Sequence, residues 1–193
     1  MEEDFVDQLR DGNFEVGKAV EYSKIYRVSD TVLRLAHNLL GDPLLEMWTD
    51  IPQYYGNITI SRTDNFITVA GVNEDSTIVA YYSNDGRIGR KTVSAGSITL
   101  TGISPNSTIM LYKHNYIPYI APLLLQNVNI RHPQYVIASD VTAGKSIDGN
   151  RTNGNVTIHQ GIEYEIEASG VVKLEDGFKV EKGATFAVYP STF

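Results

Sequence analysis

Apolar positions along the chain change their period after the first fifty residues. Between Phe14 and Tyr26, Val16, Ala19, Val20 and Tyr26 recur at helical spacing, although Gly17 weakens the run. The next stripe is cleaner. Val32, Leu35, Ala36, Leu39 and Leu40 share one helical face, Asp30 or Ser29 can cap it, and Gly41 followed by Pro43 stops it. The pattern predicts two or three helices over residues 1–41.

After Pro52 the period drops to about two. Short alternating stretches run over Asn57–Ser61, Asn65–Gly71, Ser76–Ser83, Ile88–Val93, Ser97–Thr101, Ser107–Lys113 and Tyr119–Gln126, separated by turn clusters such as Asn73-Glu74-Asp75 and Ser104-Pro105-Asn106. Asn84-Asp85-Gly86 is a hairpin signal, because Asn and Gly tolerate positive φ. Strands this short and close together, with no helix between them, predict an antiparallel sandwich of immunoglobulin type over residues 51–130. The cysteine and tryptophan signature of true immunoglobulin domains is absent, so only the architecture is implied.

His132-Pro133 opens a third block with strict alternation. Ile162, Tyr164, Ile166 and Ala168 fall on one face, followed by Val172 and Leu174, then Phe178 and Val180, then Ala184, Phe186 and Val188. Charged residues stand between them, and Gly161, Gly170, Gly177 and Gly183 punctuate the runs. Each run is too short to bury its apolar face alone, so the runs must stack. The fold expected is therefore mainly β, with a helical segment at 1–50, a sandwich at 51–130 and a small stacked-strand module at 131–193.

Charge and composition narrow the function. Only 16 Lys and Arg stand against 23 Asp and Glu, a net charge of −7 with no basic run, which argues against nucleic acid as a partner. No apolar run approaches the ~20 residues of a membrane-spanning helix. The acidic start Met1-Glu2-Glu3-Asp4 leads into no apolar segment, so the expectation is a cytosolic protein or a piece of a longer exported one. The chain has no cysteine, which excludes a disulfide framework, a thiolate metal site and a cysteine nucleophile within it.

No motif makes a strong case for catalysis or a cofactor. Ala143-Gly144-Lys145-Ser146 matches the end of a phosphate-binding loop, but Ser139 stands where the first glycine belongs and a turn follows where a helix is needed. Asp148, Asn150 and Thr152 have the alternate spacing of a calcium loop, without its glycine in place or its closing glutamate. His37, His114, His132 and His159 are scattered and form no metal pair. Glu163, Glu165 and Glu167 would line a strand face about 7 Å apart, and they read as a solvated face whose charges alternate with Lys173 and Lys179 on neighbouring strands. Of the adjacent pairs Tyr54-Tyr55 and Tyr81-Tyr82, one ring of the second pair is expected outside the core, where exposed rings can stack on sugars. Asn57, Asn106, Asn150 and Asn155 begin glycosylation triplets that arise readily by chance in a chain rich in Asn and Thr. The expected site content is no catalytic, no cofactor-binding and no metal residue.

Three segments together resemble a known family. Asn38-Leu39-Leu40-Gly41-Asp42-Pro43, continuing to Trp48-Thr49, resembles the end of the catalytic domain of gingipain-type cysteine peptidases. Lys113-His114-Asn115-Tyr116-Ile117-Pro118-Tyr119 resembles the last strands of the immunoglobulin-like domain that follows it. Val141 to Val188, with Leu174-Glu175-Asp176-Gly177-Phe178 and Gly183-Ala184-Thr185-Phe186, resembles the coathanger stack that closes many exported Bacteroidetes proteins. The family's catalytic cysteine and histidine lie upstream of the first motif. Here no cysteine exists and His37 sits within the predicted helix, so no catalytic residue carries over. The resemblance implies a non-catalytic tail of an exported peptidase, secreted or at the cell surface, contacting protein or glycan. A freestanding surface-binding protein built from the same modules is the alternative. An unpartnered stripe at Val32–Leu40 adds the expectation that the N-terminal helices fold back on the sandwich or drive self-association.

Overall fold

The computed structural model describes residues 49–72, 77–83 and 86–191, together with residues 7, 8, 10–12, 15, 18, 19 and 21. The helices expected over residues 14–26 and 30–40 lie outside the described residues apart from isolated positions. Among the described residues every regular element is a β-strand.

Seven strands build an antiparallel sandwich. β1 (Thr59–Arg62), β2 (Phe66–Val72) and β5 (Gly96–Thr101) form one sheet in the order β1-β2-β5. β3 (Thr77–Tyr82), β4 (Ile88–Val93), β6 (Thr108–Tyr112) and β7 (Tyr119–Ile120) form the other, in the order β4-β3-β6-β7. Alternation puts Ile67, Val69 and Val72 of β2 and Leu100 of β5 opposite Val79, Val93, Ile109 and Leu111 of the second sheet, all buried in one core. The β3–β4 turn carries Gly86 at φ 83°, with Gly86 N donating to Ser83 O; Asn84 and Asp85 lie outside the described residues.

The segment Tyr119–Gln126, expected as one strand, is two. Pro122 interrupts it, since proline cannot donate to a ladder. The chain then turns from antiparallel to parallel pairing. β8 (Leu123–Leu125), β9 (Val128–Ile130) and β10 (Gln134–Ala138) make a first triangular rung. β11 (Val141–Ala143), β12 (Val156–Ile158) and β13 (Glu163–Ala168) make a second, and β14 (Val172–Leu174), β15 (Phe178–Val180) and β16 (Thr185–Pro190) a third. Each strand pairs in parallel with its counterparts above and below, giving three three-stranded sheets, β8-β11-β14, β9-β12-β15 and β10-β13-β16. The stack is a short parallel β-helix. It starts at Leu123, so residues 123–130, read from the sequence as the tail of the sandwich, form its first two strands.

Register places like residues in columns. Leu125, Ala143 and Leu174 align, as do Ile130, Ile158 and Val180, and Val136, Ile166 and Val188. Gln134, Tyr164 and Phe186 form a further column; the Tyr164 and Phe186 rings stack at 6.5 Å, and Phe178 meets Phe186 at 5.0 Å. The shared core expected for Phe178 and Phe186 is present. The corner after the first face demands a left-handed residue, supplied by Asn127 (φ 51°) in rung one and Gly177 (φ 88°) in rung three.

Residues 49–53 and 114–116 belong to a separate compact unit with the N-terminal segment. Within it Thr49 N donates to Asn115 Oδ1 at 2.8 Å, Thr49 Oγ1 meets His114 Nε2 at 2.9 Å, and Gln53 N donates to Asn115 O.

Candidate functional site

Two features of the sandwich-and-stack unit gather polar chemistry: a buried joint and an exposed face.

The joint is organised by a loop. Rung two departs from the triangular path between β11 and β12, and this excursion, residues 144–155, folds back onto rung one and onto the sandwich. Gln126, fully buried at the first corner, holds it. Its Oε1 accepts from Ile147 N (2.7 Å) and Asp148 N (2.9 Å), and its amide nitrogen reaches the carbonyls of Asp148, Arg151 and Thr152 at 3.1–3.3 Å. Asn106 of the sandwich accepts from Gln126 N and from Arg151, both at 2.8 Å. Arg151 also donates to the carbonyls of Leu124 and Gln126. Arg62 of β1 donates to the carbonyls of Pro105, Ser107 and Pro122. At the rim the Asp64 carboxylate accepts from both Thr152 N and Thr152 Oγ1.

Two guanidinium groups are thus buried on carbonyl oxygens, with no direct carboxylate partner among the described residues. Burial first, and then the Arg151 charge, bring the Arg62 guanidinium down to about 10. Burial also lowers Arg151, against the opposing pull of Asp148 and Asp64. The two hydrogen bonds from Thr152 hold Asp64 below the usual carboxylate range. A polar cavity of about 460 Å³ opens beside the joint, lined by Asp64, Asn106, Asn127, Asn129, Arg151 and Thr152 among others.

The second feature lies on the outward side of β10-β13-β16. Tyr135 and Tyr189 are 49% and 45% exposed and lean across the middle strand from opposite edges. Tyr135 donates to Glu167, Tyr189 donates to Glu165 at 2.8 Å, and Ser191 donates to Glu167. The bonds from Ser191 and then Tyr135 hold the Glu167 carboxyl below its ordinary range, and the same carboxylates push both tyrosine hydroxyls up. The sequence pairs these glutamates with Lys173 and Lys179. The register does not: those lysines lie on the other two sheets and pair with Glu175 and Glu181 of their own rung.

The remaining sequence candidates are placed as follows. Gly144 N and Lys145 N donate to Leu125 O and Asp176 O, so neither is offered to a phosphate. Asp148 Oδ1 accepts from Asn150 N in a tight turn, while Thr152 turns to Asp64. His159 bridges Asn129 and Glu181, His132 is exposed, His114 meets Thr49, and His37 lies outside the described residues. Among the described residues no three His, Asp or Glu side chains are placed to hold a metal, and no helix is long and apolar enough to cross a membrane. Tyr81 packs against the sandwich core, whereas Tyr82 leaves it and packs against the core of the stack. Asn106 is buried in the joint. Asn57, Asn150 and Asn155 are exposed.

Sequence reasoning passed over Gln126, Arg62 and Arg151, and read Asn106 only as a turn residue and the start of a glycosylation triplet. A lone polar residue ending an apolar Leu-Leu-Leu run, as Gln126 does, was the available signal: a buried strand tolerates such a residue only when it is fully bonded.

No family model matches the chain, and no curated protein and no solved structure matches it.

Proposed function

We propose that the chain is a non-catalytic accessory region of a gingipain-like exported peptidase, in which an immunoglobulin-like sandwich and a coathanger-type stack act together as a stiff support and surface-facing cap. The observation that carries this reading is the joint. A flexible tether between two modules has few contacts and exposed backbone. Here a fully buried glutamine, two buried arginines and the Asp64–Thr152 contact tie the sandwich to the first two rungs. Such a joint fixes spacing and orientation, which is the property a support requires.

The absence of cysteine makes the test direct, because introduced cysteines are the only labelling sites. Spin labels at Ser97→Cys on β5 and Glu163→Cys on β13 are expected to give one narrow distance distribution. A broad distribution would remove the support role. The parentage is tested by the reading frame upstream of Met1. A cysteine–histidine catalytic region there supports the accessory reading, and a leader peptide ending just before Glu2 overturns it.

The Tyr135–Tyr189 face favours a second reading, a binding module for glycan or protein at the cell surface. Its two rings are oriented by hydrogen bonds and half-exposed, and carboxylates beside them can accept sugar hydroxyls. Binding to immobilised polysaccharide that is lost in both Tyr135→Ala and Tyr189→Ala supports this reading; binding indifferent to both variants overturns it.

A further inference from the structure

The three columns of the stack share one inward pattern, yet their exposure is unequal. In rung two Ala143, Ile158 and Ile166 are each 0% exposed. Their counterparts one rung above, Leu174, Val180 and Val188, are 46%, 40% and 42% exposed. Nothing in this chain's described residues lies over them. The backbone repeats the contrast: β14, β15 and β16 each have one ladder partner, leaving two edges of three residues and one of six unpaired. Solenoid ends of this kind need a cap, and bare strand edges are templates for pairing.

The opposite end is already covered. Tyr82 packs against the stack core from the sandwich side, and Asn106 bonds Gln126 of rung one. Head-to-tail stacking of copies is therefore blocked. Among stackings of one copy on another, this leaves a twofold-related meeting of two third rungs, which turns the facing strands antiparallel and closes after two copies.

The charges on that edge suit this arrangement. The end of β14 and the residue after it read Lys173-Leu174-Glu175, and the end of β15 and the residue after it read Lys179-Val180-Glu181. In each, the apolar residue points inward and the charges outward. A Lys-apolar-Glu triplet run antiparallel against another becomes Glu-apolar-Lys. The two-fold that sets β16 against its own copy sets β14 against β15, and in that arrangement every lysine meets a glutamate. The outward residues of β16, Thr185, Ala187 and Tyr189, carry no charge to oppose this.

We propose that the third rung of the stack is a self-complementary interface through which two copies of this chain form a closed end-to-end dimer. The site differs from the apolar stripe of the sequence at Val32–Leu40, and neither functional reading depends on it.

Light scattering and sedimentation over about 1–200 μM are expected to show a monomer–dimer equilibrium and no larger closed or open species. Leu174→Lys and Val180→Lys, at positions already half in water, should weaken dimerisation at least about tenfold while leaving the circular dichroism melt of the dilute monomer in place. Lys173→Glu with Lys179→Glu should weaken it too. Adding Glu175→Lys and Glu181→Lys to that double variant should restore it, a rescue that loss of folding or of apolar area alone could not give. A monomer at every concentration would overturn the proposal. So would open-ended polymers, or a dimer that ignores residues 174 and 180 but is lost in Leu35→Asp with Leu39→Asp.

Discussion

Gln126→Leu isolates the part of the joint that the architecture leans on most. The substitution keeps side-chain volume and adds apolar surface, but removes an acceptor shared by Ile147 N and Asp148 N and a donor facing three carbonyls. The amide has two protons for those three oxygens, so four hydrogen bonds are made at any moment. Leaving a buried donor unsatisfied costs about 1–3 kcal/mol, and the new leucine recovers about 1–2 kcal/mol of burial. With two donors stranded and two carbonyl bonds lost, the net expectation is about 3 kcal/mol. For a chain of this size that lowers the melting temperature by roughly 6–12 °C. Calorimetry and urea titration measure the loss, and Gln160→Leu, at an exposed corner, serves as the control and should stay within about 0.5 kcal/mol. Amide exchange locates it: Ile147 and Asp148 should lose protection before the sandwich core does. A melting shift under about 2 °C, or unchanged exchange at both amides, would refute the claim that Gln126 holds the excursion.

Other outcomes follow from the stack. Phe178→Ala and Phe186→Ala each break the aromatic contact at 5.0 Å; as both rings are half-buried, the cost should be about 2–3 kcal/mol, lost first from rung three, while Lys179→Ala costs under about 0.5 kcal/mol. Equal damage from Lys179→Ala would mean the inward and outward faces are exchanged. Glu167 is held below its ordinary value of 4.5 by Ser191 and Tyr135, so its contribution is complete above that value and disappears as pH falls through the lower folded midpoint. The thermal stability of the parent chain should therefore converge on that of Glu167→Gln in that window. A carboxyl carbon titration midpoint at or above 4.5 would contradict it.

The sequence made the strands legible because alternation is a local signal. The edges expected at Ile88–Val93 and Ser97–Thr101 recur within a residue, and the facing of Phe178 and Phe186 followed from parity alone. The change from antiparallel to parallel pairing at Pro122 was not legible, since strand parity is the same in both. For the same reason Glu165 and Glu167 found tyrosine partners where lysine was expected: which residue lies opposite depends on rungs that put the partners 24 and 32 positions away, not on the neighbouring stretch. The joint was the least legible part. Gln126, Asn106 and Arg151 are ordinary polar residues in turn-rich sequence, and only the folded chain brings them together across 20 to 45 positions.

The contact between Asp64 and Thr152 spans 88 residues, and this distance imposes an order on folding. Loop closure over such a separation is entropically unfavourable until nearer contacts have drawn the ends together. During synthesis the last sandwich strand, ending at Ile120, is made before the excursion of rung two between Ala143 and Val156. Until β10 of the first rung follows, the surface of β3 and β6 that later receives Tyr135, Val136 and Ile137, with Ala80, Tyr82 and Met110 along it, faces water. The nascent chain therefore passes through a stage in which a finished sandwich displays an apolar flank awaiting its own C-terminal third. Pulse-labelled hydrogen exchange should find the amide of Thr152 among the last to be protected, and a chaperone that recognises apolar strands would have its window there.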